Sequence, residues 1–433
     1  MRAVLVAGAL FGIAAVALLG ARPLWLDEIL QLRETTAPSM ARMIANLPRN
    51  AGAAPLGYLT QHAMLRFTGY SVRRARLTAA IFGVAAVVAV GLLAAELGLD
   101  QPWIAAALFA LFPMTLRYAT ESRVYSEALF FSVLATLAYL RLAKRPDLPR
   151  TAAYWLILTA AAYTQPYAAS VGVAHVLWSA GQRERRAAFC GAAALGGAVL
   201  AFLPWYTWSK ASWGATVAGG ALHFAATWKT PLLILRELTG GGYACLILLA
   251  ALCVMALWRG LPNRRAVFLL LSSIVLPLLC IFGADAALDY FVAGRQFLWV
   301  LPPLAILAAA AFNRPSRVAI ALAALAGVIC ILADLRYFTR PAENWAVAAD
   351  AVAGAVGQGA CFAVAPPGDA FLYEFFRPEL ERAHCEAPTI VLAITPYTTP
   401  AERNAAVATL AAQGYRSARE TQAAGSRLIF LQR

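Results

Sequence analysis

A chain of 433 residues that is 61% hydrophobic and only 13% charged, with a mean hydropathy of +0.66, carries too little polar surface for a soluble globular protein. Its net charge of +14 is therefore not read as nucleic-acid binding: the basic residues divide between short-loop clusters that set membrane topology and arginines on the opposite face that suit an anionic substrate. These properties place the chain among polytopic α-helical membrane proteins.

The first apolar run, 3–20, is expected to be a membrane span and not a cleavable signal. Its positive end is the single Arg2, and no small-residue cleavage site precedes Arg22. Further runs lie at 77–97, 102–116, 124–142, 152–164, 167–180, 187–208, 243–258, 265–284, 296–312 and 317–335. The total is about eleven spans, each long enough singly or as a tilted bundle member to cross a core of about 30 Å. Gln165-Pro166 splits 152–164 from 167–180, and loop charge supports the split. Arg141, Lys144, Arg145 and Arg150, then Arg183, Arg185 and Arg186, then Arg259, Arg264 and Arg265, then Arg314 and Arg317 fall on one face only if the two runs are separate. That face is cytoplasmic, with the N-terminus. The 22–76 loop, the 117–123 turn, Gln165, the 209–242 loop, the 285–295 turn and the C-terminal tail share the outer face. The 22–76 loop is itself rich in arginine (Arg22, Arg33, Arg42, Arg49, Arg66, Arg73, Arg74, Arg76). A structured segment of that length can cross regardless, and its basic surface suits phosphate-bearing lipids.

Composition changes near Arg336, which sets the expected boundary between a membrane domain, 1–335, and a small periplasmic α/β domain, 336–433. In the second, a helix is expected near Asn344 to Val356, with strands at Cys361–Ala365 and Thr389–Ile394. Thr399-Pro400-Ala401-Glu402 reads as an N-cap, a proline at the first helical position and a capping box opening a helix that ends at Gly414. Hairpin strands at Tyr415–Thr421 and Arg427–Leu431 close the domain around Gly425. Five of the seven cysteines lie in spans; Cys361 and Cys385 lie outside, where an oxidising compartment would let them pair.

Candidate chemistry gathers at the outer ends of the spans. Trp25-Leu26-Asp27-Glu28 sets two carboxylates just beyond the first span. Adjacent side chains point apart in a helix or a strand, so one is expected to be catalytic and the other structural; the plain alternative for Asp27 is a solvated helix-end carboxylate or a partner of Arg22. The turn from Arg117 to Tyr125 holds Arg117, Tyr118, Glu121, Arg123 and Tyr125. An aromatic and arginine interface belt explains the phenols well and Glu121 poorly, because ionisable groups at bilayer depth are costly and usually face a cavity or a partner. Arg295-Gln296-Phe297 offers a guanidinium able to bind phosphate bidentately, or a snorkelling anchor. Gln165 and Tyr167 sit in a short outer break. His62, near Tyr58 and Leu65, reads first as a packed, hydrogen-bonded histidine. With four histidines and no His or Cys pair at ligand spacing, zinc is not expected.

Taken in order, Trp25-x-Asp27-Glu28, Ala54-Pro55-Leu56-Gly57-Tyr58-Leu59 with His62, Leu65-Arg66-Phe67-Thr68-Gly69 and Arg74-Ala75-Arg76-Leu77 resemble the first loop and second helix of the GT-C glycosyltransferases. The nearest branch holds the bacterial relatives of protein O-mannosyltransferases and of the lipid A aminoarabinose transferase. Glu121-Ser122-Arg123-Val124-Tyr125 resembles that branch's Glu-x-Arg-x-Tyr turn, and Arg295-Gln296-Phe297 with Pro302-Pro303 its Arg-x-Phe stretch. The resemblance covers roughly 1 to 335; Ala54 departs from it, standing where the branch often has a second proline or a histidine. It implies a multi-pass bacterial inner-membrane enzyme that transfers a sugar from a polyprenyl-phosphate donor to a lipid, glycan or protein acceptor on the periplasmic side. In an inverting displacement Asp27 would take the acceptor proton, while Arg123, Arg295 and Arg117 would hold the leaving phosphate. Glu121 would hold an arginine or sugar hydroxyls, and Glu28 would orient the loop or ligate a cation. Tyr58, His62, Tyr125, Gln165 and Tyr167 would line the substrate pocket.

No obligatory cofactor is expected, although Asp27, Glu28, Glu121, Asp285 and Asp289 offer oxygen ligands for Mg²⁺. Sugar contacts are expected from residues such as Trp205, Trp208, Trp213, His223 and Trp228 around the 209–242 loop, where tryptophans equally fit as interface anchors. A transporter or flippase of polyprenyl-linked or anionic solutes is the rival reading. It predicts mid-membrane polar groups and repeated halves, whereas the ionisable residues here gather at outer ends and no repeat is evident. A non-enzymatic envelope scaffold would leave Asp27 and Glu121 without a role.

Overall fold

The computed structural model describes residues 1–50, 53–215, 229–240, 242–259, 263–288, 293–314, 316–383 and 387–433. The chain divides into two compact units, one made of Met1–Leu19 and Glu34–Arg336, the other of Gly20–Arg33 and Tyr337–Arg433.

The helices begin with α1 (Arg2–Leu18), α2 (Leu26–Thr35), α3 (Met40–Asn46), α4 (Pro55–Thr68), α5 (Val72–Ala75) and α6 (Leu77–Glu96). Next come α7 (Pro102–Leu111), α8 (Pro113–Ala119), α9 (Tyr125–Lys144), α10 (Leu148–Thr164), α11 (Val171–Gly181) and α12 (Arg185–Ala215). The series continues with α13 (Thr230–Leu238), α14 (Tyr243–Arg259), α15 (Arg264–Leu288), α16 (Leu301–Ala309) and α17 (Arg317–Thr339). Each of the apolar runs read from the sequence is helical over most of its described residues, the 102–116 run broken at Phe112. Among those residues, six helices are long and apolar enough to cross a membrane, or eight if the bent pairs α7 with α8 and α13 with α14 each count as one span. The remaining three runs form α1 and α10, of 17 residues each, and α11, of 11. The separation of α10 from α11 falls at Gln165, followed by a 3-10 turn at Pro166–Ser170. The 209–242 segment is not simply a loop: α12 extends into it and α13 lies within it.

Close backbone approach binds α1 to α6. A methyl group at Gly8 would lie 2.6 Å from Val88 Cγ2, and one at Gly91 would lie 2.4 Å from Val4 Cγ1, the small-residue packing that membrane helices use. Polar groups buried between α9, α10 and α11 are mutually satisfied. Tyr139 donates to Ser179 Oγ at 2.8 Å, Tyr154 Oη lies 2.8 Å from His175 Nδ1, and His175 Nε2 lies 3.1 Å from Thr136 Oγ1. Such pairing is what hydrocarbon demands of buried polar groups.

The second unit carries α18 (Trp345–Val356), β1 (Cys361–Ala365), α19 (Phe371–Glu374), β2 (Thr389–Ile394), α20 (Pro400–Ala412), β3 (Arg416–Ala423) and β4 (Ser426–Gln432). The sheet order is β1-β2-β4-β3, with β1 parallel to β2 and the other neighbours antiparallel. Cys361, Ile390, Leu392, Tyr415, Ile429 and Leu431 build its core, with Val407 and Leu410 of α20 packed on it. The expected capping box is present: Thr399 Oγ1 accepts from Glu402 N at 3.2 Å, and Glu402 Oε2 accepts from Thr399 N at 2.8 Å. Cys361 is disulfide-bonded; Cys385, named above as its partner, lies outside the described residues.

Candidate active site

Phe112-Pro113 creates the turn that carries most of the first unit's ionisable groups. A residue before proline is pushed out of the α region, and Phe112 is extended (φ −64°, ψ 125°), so α7 and α8 meet at a 71° bend. Helix α8 ends after Ala119, where Thr120 Oγ1 donates back to the carbonyls of Leu116 at 3.0 Å and Arg117 at 2.9 Å. The chain then turns, with Arg123 N donating to Glu121 O at 2.8 Å, before α9 starts at Tyr125.

Glu121 is 2% exposed and accepts from Arg117 Nε at 3.0 Å. The rings of Tyr118 and Tyr125 pack with centroids 4.6 Å apart. The guanidinium of Arg117 lies 5.6 Å from the Tyr118 ring centre, and that of Arg123 lies 5.6 Å from the Tyr125 ring centre. Arg295 is the second residue of the 3-10 segment Gly294–Val300, where Gln296 Oε1 accepts from Ala293 N at 3.0 Å. Arg117, Glu121, Arg295 and Tyr125 all act electrostatically on Tyr118. Arg117, Arg295, Tyr118, Glu121 and Tyr125 therefore come together.

Glu237 of α13 joins them and was missed from the sequence. Gly294 N–H donates to its carboxylate, and Arg117, Arg295 and Arg236 act on its charge. A methyl group at Gly294 would lie 2.5 Å from Glu237 Oε2, so a larger residue there would have to displace the carboxylate. The available signal was that Glu237 is the lone carboxylate between 209 and 242. Chemically, the arrangement could serve as a preformed anion site: guanidinium groups and carboxylates gather at the ends of apolar helices, where a phosphate can exchange with a carboxylate as partner.

The remaining expected pocket residues are placed as follows. His62 lies in α4, 4% exposed, with Nδ1 donating to the Thr35 carbonyl at 2.8 Å, so its ring closes the C-terminal end of α2. Tyr58 packs with Met43, Leu47, Val124 and Trp205. Gln61, also in α4, ties that helix to the 120–124 turn: its Nε2 donates to Ser122 Oγ and to Ala75 O. Gln165 caps α10, and the segment carrying Tyr167, Pro166–Ser170, packs against the Arg295 segment. Trp205 donates to Ala53 O at 2.9 Å and meets Trp208 edge-on. The Trp213 side chain, His223 and Trp228 lie outside the described residues.

Asp27 and Glu28 occupy the first turn of α2, in the second unit, 8% and 0% exposed. Carboxylates there interact favourably with the helix dipole. Among the described residues no group of three His, Cys, Asp or Glu side chains gathers as a metal site. Of the acidic residues suggested for Mg²⁺, the Asp285 side chain and Asp289 lie outside the described residues.

No protein-family model matches the sequence, and no curated protein matches it in sequence. Solved structures do match. ArnT from Cupriavidus metallidurans in the apo state is 14% identical with a TM-score of 0.61, over 98% of this chain and 97% of that one. The same protein bound to undecaprenyl phosphate is 13% identical with a TM-score of 0.59, over 98% and 97%. An oligosaccharyltransferase from Archaeoglobus fulgidus, in complex with Zn and sulfate, is 14% identical with a TM-score of 0.54, over 90% of this chain and 67% of that one. The chain shares the fold of these proteins: a polytopic membrane helical domain with a small α/β domain.

Proposed function

We propose that the protein is a glycosyltransferase that moves a sugar from a polyprenyl-phosphate donor to a lipid, glycan or protein acceptor on the periplasmic face of the bacterial inner membrane. The observation that carries this reading is the cluster of Arg117, Arg295, Glu121 and Glu237 at the ends of apolar helices. It is found in a chain whose fold follows ArnT over nearly its whole length, and that neighbour has been solved with undecaprenyl phosphate. An isoprenoid tail stays in the bilayer while its phosphate stays at the interface, so a donor phosphate needs cations at that depth.

In this reading the reaction is one in-line displacement that inverts the anomeric carbon. The acceptor oxygen forms the new glycosidic bond as its proton passes to Asp27, and the bond to the carrier's phosphate oxygen breaks with its electron pair leaving on polyprenyl phosphate. Base catalysis of this kind contributes about 10²- to 10⁴-fold. Arg123, Arg295 and Arg117 stabilise the departing phosphate, Glu121 holds Arg117 in place, and Glu28 orients α2. Tyr125, Gln165, Tyr167, Tyr58 and His62 shape the pocket directly or through the helices they fix. No step is assigned to a metal.

The test is turnover of a panel of polyprenyl-phosphate sugars by the purified chain in lipid, with envelope extract as acceptor source. Sugar-dependent release of polyprenyl phosphate that falls at least about a hundredfold in Asp27→Asn supports the reading. Equal turnover in both removes Asp27 as the base. Donor-independent movement of labelled lipid across the bilayer would replace the reading with transport.

A further inference from the structure

The first turn of α2 takes an acceptor from far along the chain. Trp25 O accepts from Glu28 N at 3.0 Å and from Ile29 N at 3.1 Å, so Trp25 stands at the N-cap. An indole has only a donor and cannot accept from the amides of the first turn. The acceptor comes from a residue 317 positions away: Glu343 Oε2 accepts from Leu26 N at 3.2 Å.

Glu343 is itself held from several sides within the second unit. Trp345 Nε1 donates to Oε2 at 2.7 Å, and Tyr397 Oη donates to Oε1. Its backbone rests on the β3–β4 turn, where Asn344 N donates to Ala424 O at 3.1 Å. Gly425 (φ +103°) makes that approach possible, for a methyl group there would lie 3.0 Å from Ala342 O and 3.8 Å from Glu343 Cα. The Trp345 ring stacks over Tyr397 and meets Tyr373 edge-on. Tyr397 is pushed far above the usual phenol range, by burial first and then by the charge and hydrogen bond of Glu343 and the charges of Asp27 and Asp369. It therefore remains a donor at any working pH.

This grip lies beyond the carboxyl ends of the parallel pair. Tyr397 follows β2, and Asp369, which follows β1, accepts from Thr395 Oγ1 at 2.7 Å. Open α/β sheets take their ligands at that place; here it takes the start of α2. The flanks of the segment are fastened too, with the Arg22 guanidinium 3.6 Å from the Tyr337 ring centre and that of Arg33 5.0 Å from the Phe371 ring centre.

We propose that Glu343, steadied by Trp345 and Tyr397, is a positioning residue: it caps the first turn of α2 and thereby sets the direction in which Asp27 faces. The α/β domain is then part of the catalytic apparatus, acting through α2. The catalytic half of this inference rests on Asp27 being the base, as proposed above.

The full chain in lipid tests it by amide hydrogen exchange across residues 24–31, compared among wild type, Glu343→Ala, Glu343→Gln and Tyr397→Phe. Glu343→Ala is expected to speed exchange at Leu26 to Ile29 by about tenfold or more. Glu343→Gln, which keeps an acceptor, recovers most of that protection, and Tyr397→Phe, which removes only a hydroxyl and so spares the fold, loses part of it. In the same samples kcat should fall by roughly 10²-fold in Glu343→Ala, the scale of a 1 Å misplacement, with donor KM within about twofold and with recovery in Glu343→Gln. Unchanged exchange in Glu343→Ala and Tyr397→Phe overturns the inference whatever the turnover. Faster exchange with kcat intact overturns the catalytic half of it. Exchange is read without substrate, so a failure of the proposed reaction shows separately, as wild-type turnover indifferent to Asp27→Asn, and exchange then decides the cap alone.

Discussion

The Arg117–Glu121 pair offers the sharpest test of the site as an assembled unit. Its 3.0 Å separation joins a carboxylate that is 3% exposed to a guanidinium that is 29% exposed. At an effective dielectric of about 20 the gross attraction is about 5 kcal/mol. Desolvation offsets part of this, and stranding one partner of a fully buried pair costs about 3–5 kcal/mol. The partial exposure of Arg117 lowers the expected coupling to about 2 kcal/mol, or roughly thirtyfold in rate. The assay is a double-mutant cycle in kcat/KM for polyprenyl-phosphate sugar, using Glu121→Gln, Arg117→Met and the double variant in lipid. If Glu121 acts by holding Arg117, the double variant is about thirtyfold more active than multiplying the two single losses would give. A coupling under about 0.5 kcal/mol, the level of independent sites, would show that the two side chains work separately and refute the preformed anion site as described.

Three further outcomes follow from packing and charge. A methyl group at Gly57 in α4 would lie 2.3 Å from Val124 Cγ1 and 2.8 Å from Val124 Cβ. Alanine is the better helix former by about 1 kcal/mol, but overpacking costs about 1–3 kcal/mol, so Gly57→Ala should lower the thermal midpoint; a rise would mean α4 yields freely. Burial holds the Asp369 carboxyl above its usual range, only partly opposed by the Thr395 hydrogen bond. A raised carboxyl favours folding at low pH and loses that benefit as pH rises from about 3.9 through the folded value, so Asp369→Asn should stabilise the α/β domain at pH 7 and not at pH 3, read by denaturant unfolding of the full chain. Tyr373 donates to Ser426 Oγ at 2.9 Å with both residues buried; Ser426→Ala strands the phenol and should cost about 1–3 kcal/mol in the same assay, whereas no change would mean the hydroxyl finds another acceptor.

The parts of this molecule that could be read from its sequence are those encoded locally. Thr399-Pro400-Ala401-Glu402 contains its whole cap within four residues, and the strands at Cys361–Ala365 and Thr389–Ile394 fall where their apolar runs place them. The 117–125 turn stood out because a carboxylate among membrane helices is an anomaly that composition reveals. Helix α13 was read as loop because an apolar stretch of nine residues beside Gly240 is too short to announce a span. Glu237 could not be paired with Gly294 by any spacing rule, since only the packing of α13 on the Gly294–Val300 segment brings them together. Asp27 was picked out by its place after the first apolar run, but its helix is capped by Glu343 from the far end of the chain. Periodicity and capping codes do not reach that distance.

Strand β4, the last element in the chain, lies inside the sheet between β2 and β3, and the turn before it supports Glu343. The sheet can therefore close only after every apolar helix named above has been made, because the strand that joins β2 to β3 comes after all of them. Until that strand is in place the turn beneath Glu343 has nothing to hold it, so the order of synthesis puts the support of Glu343 after the membrane helices.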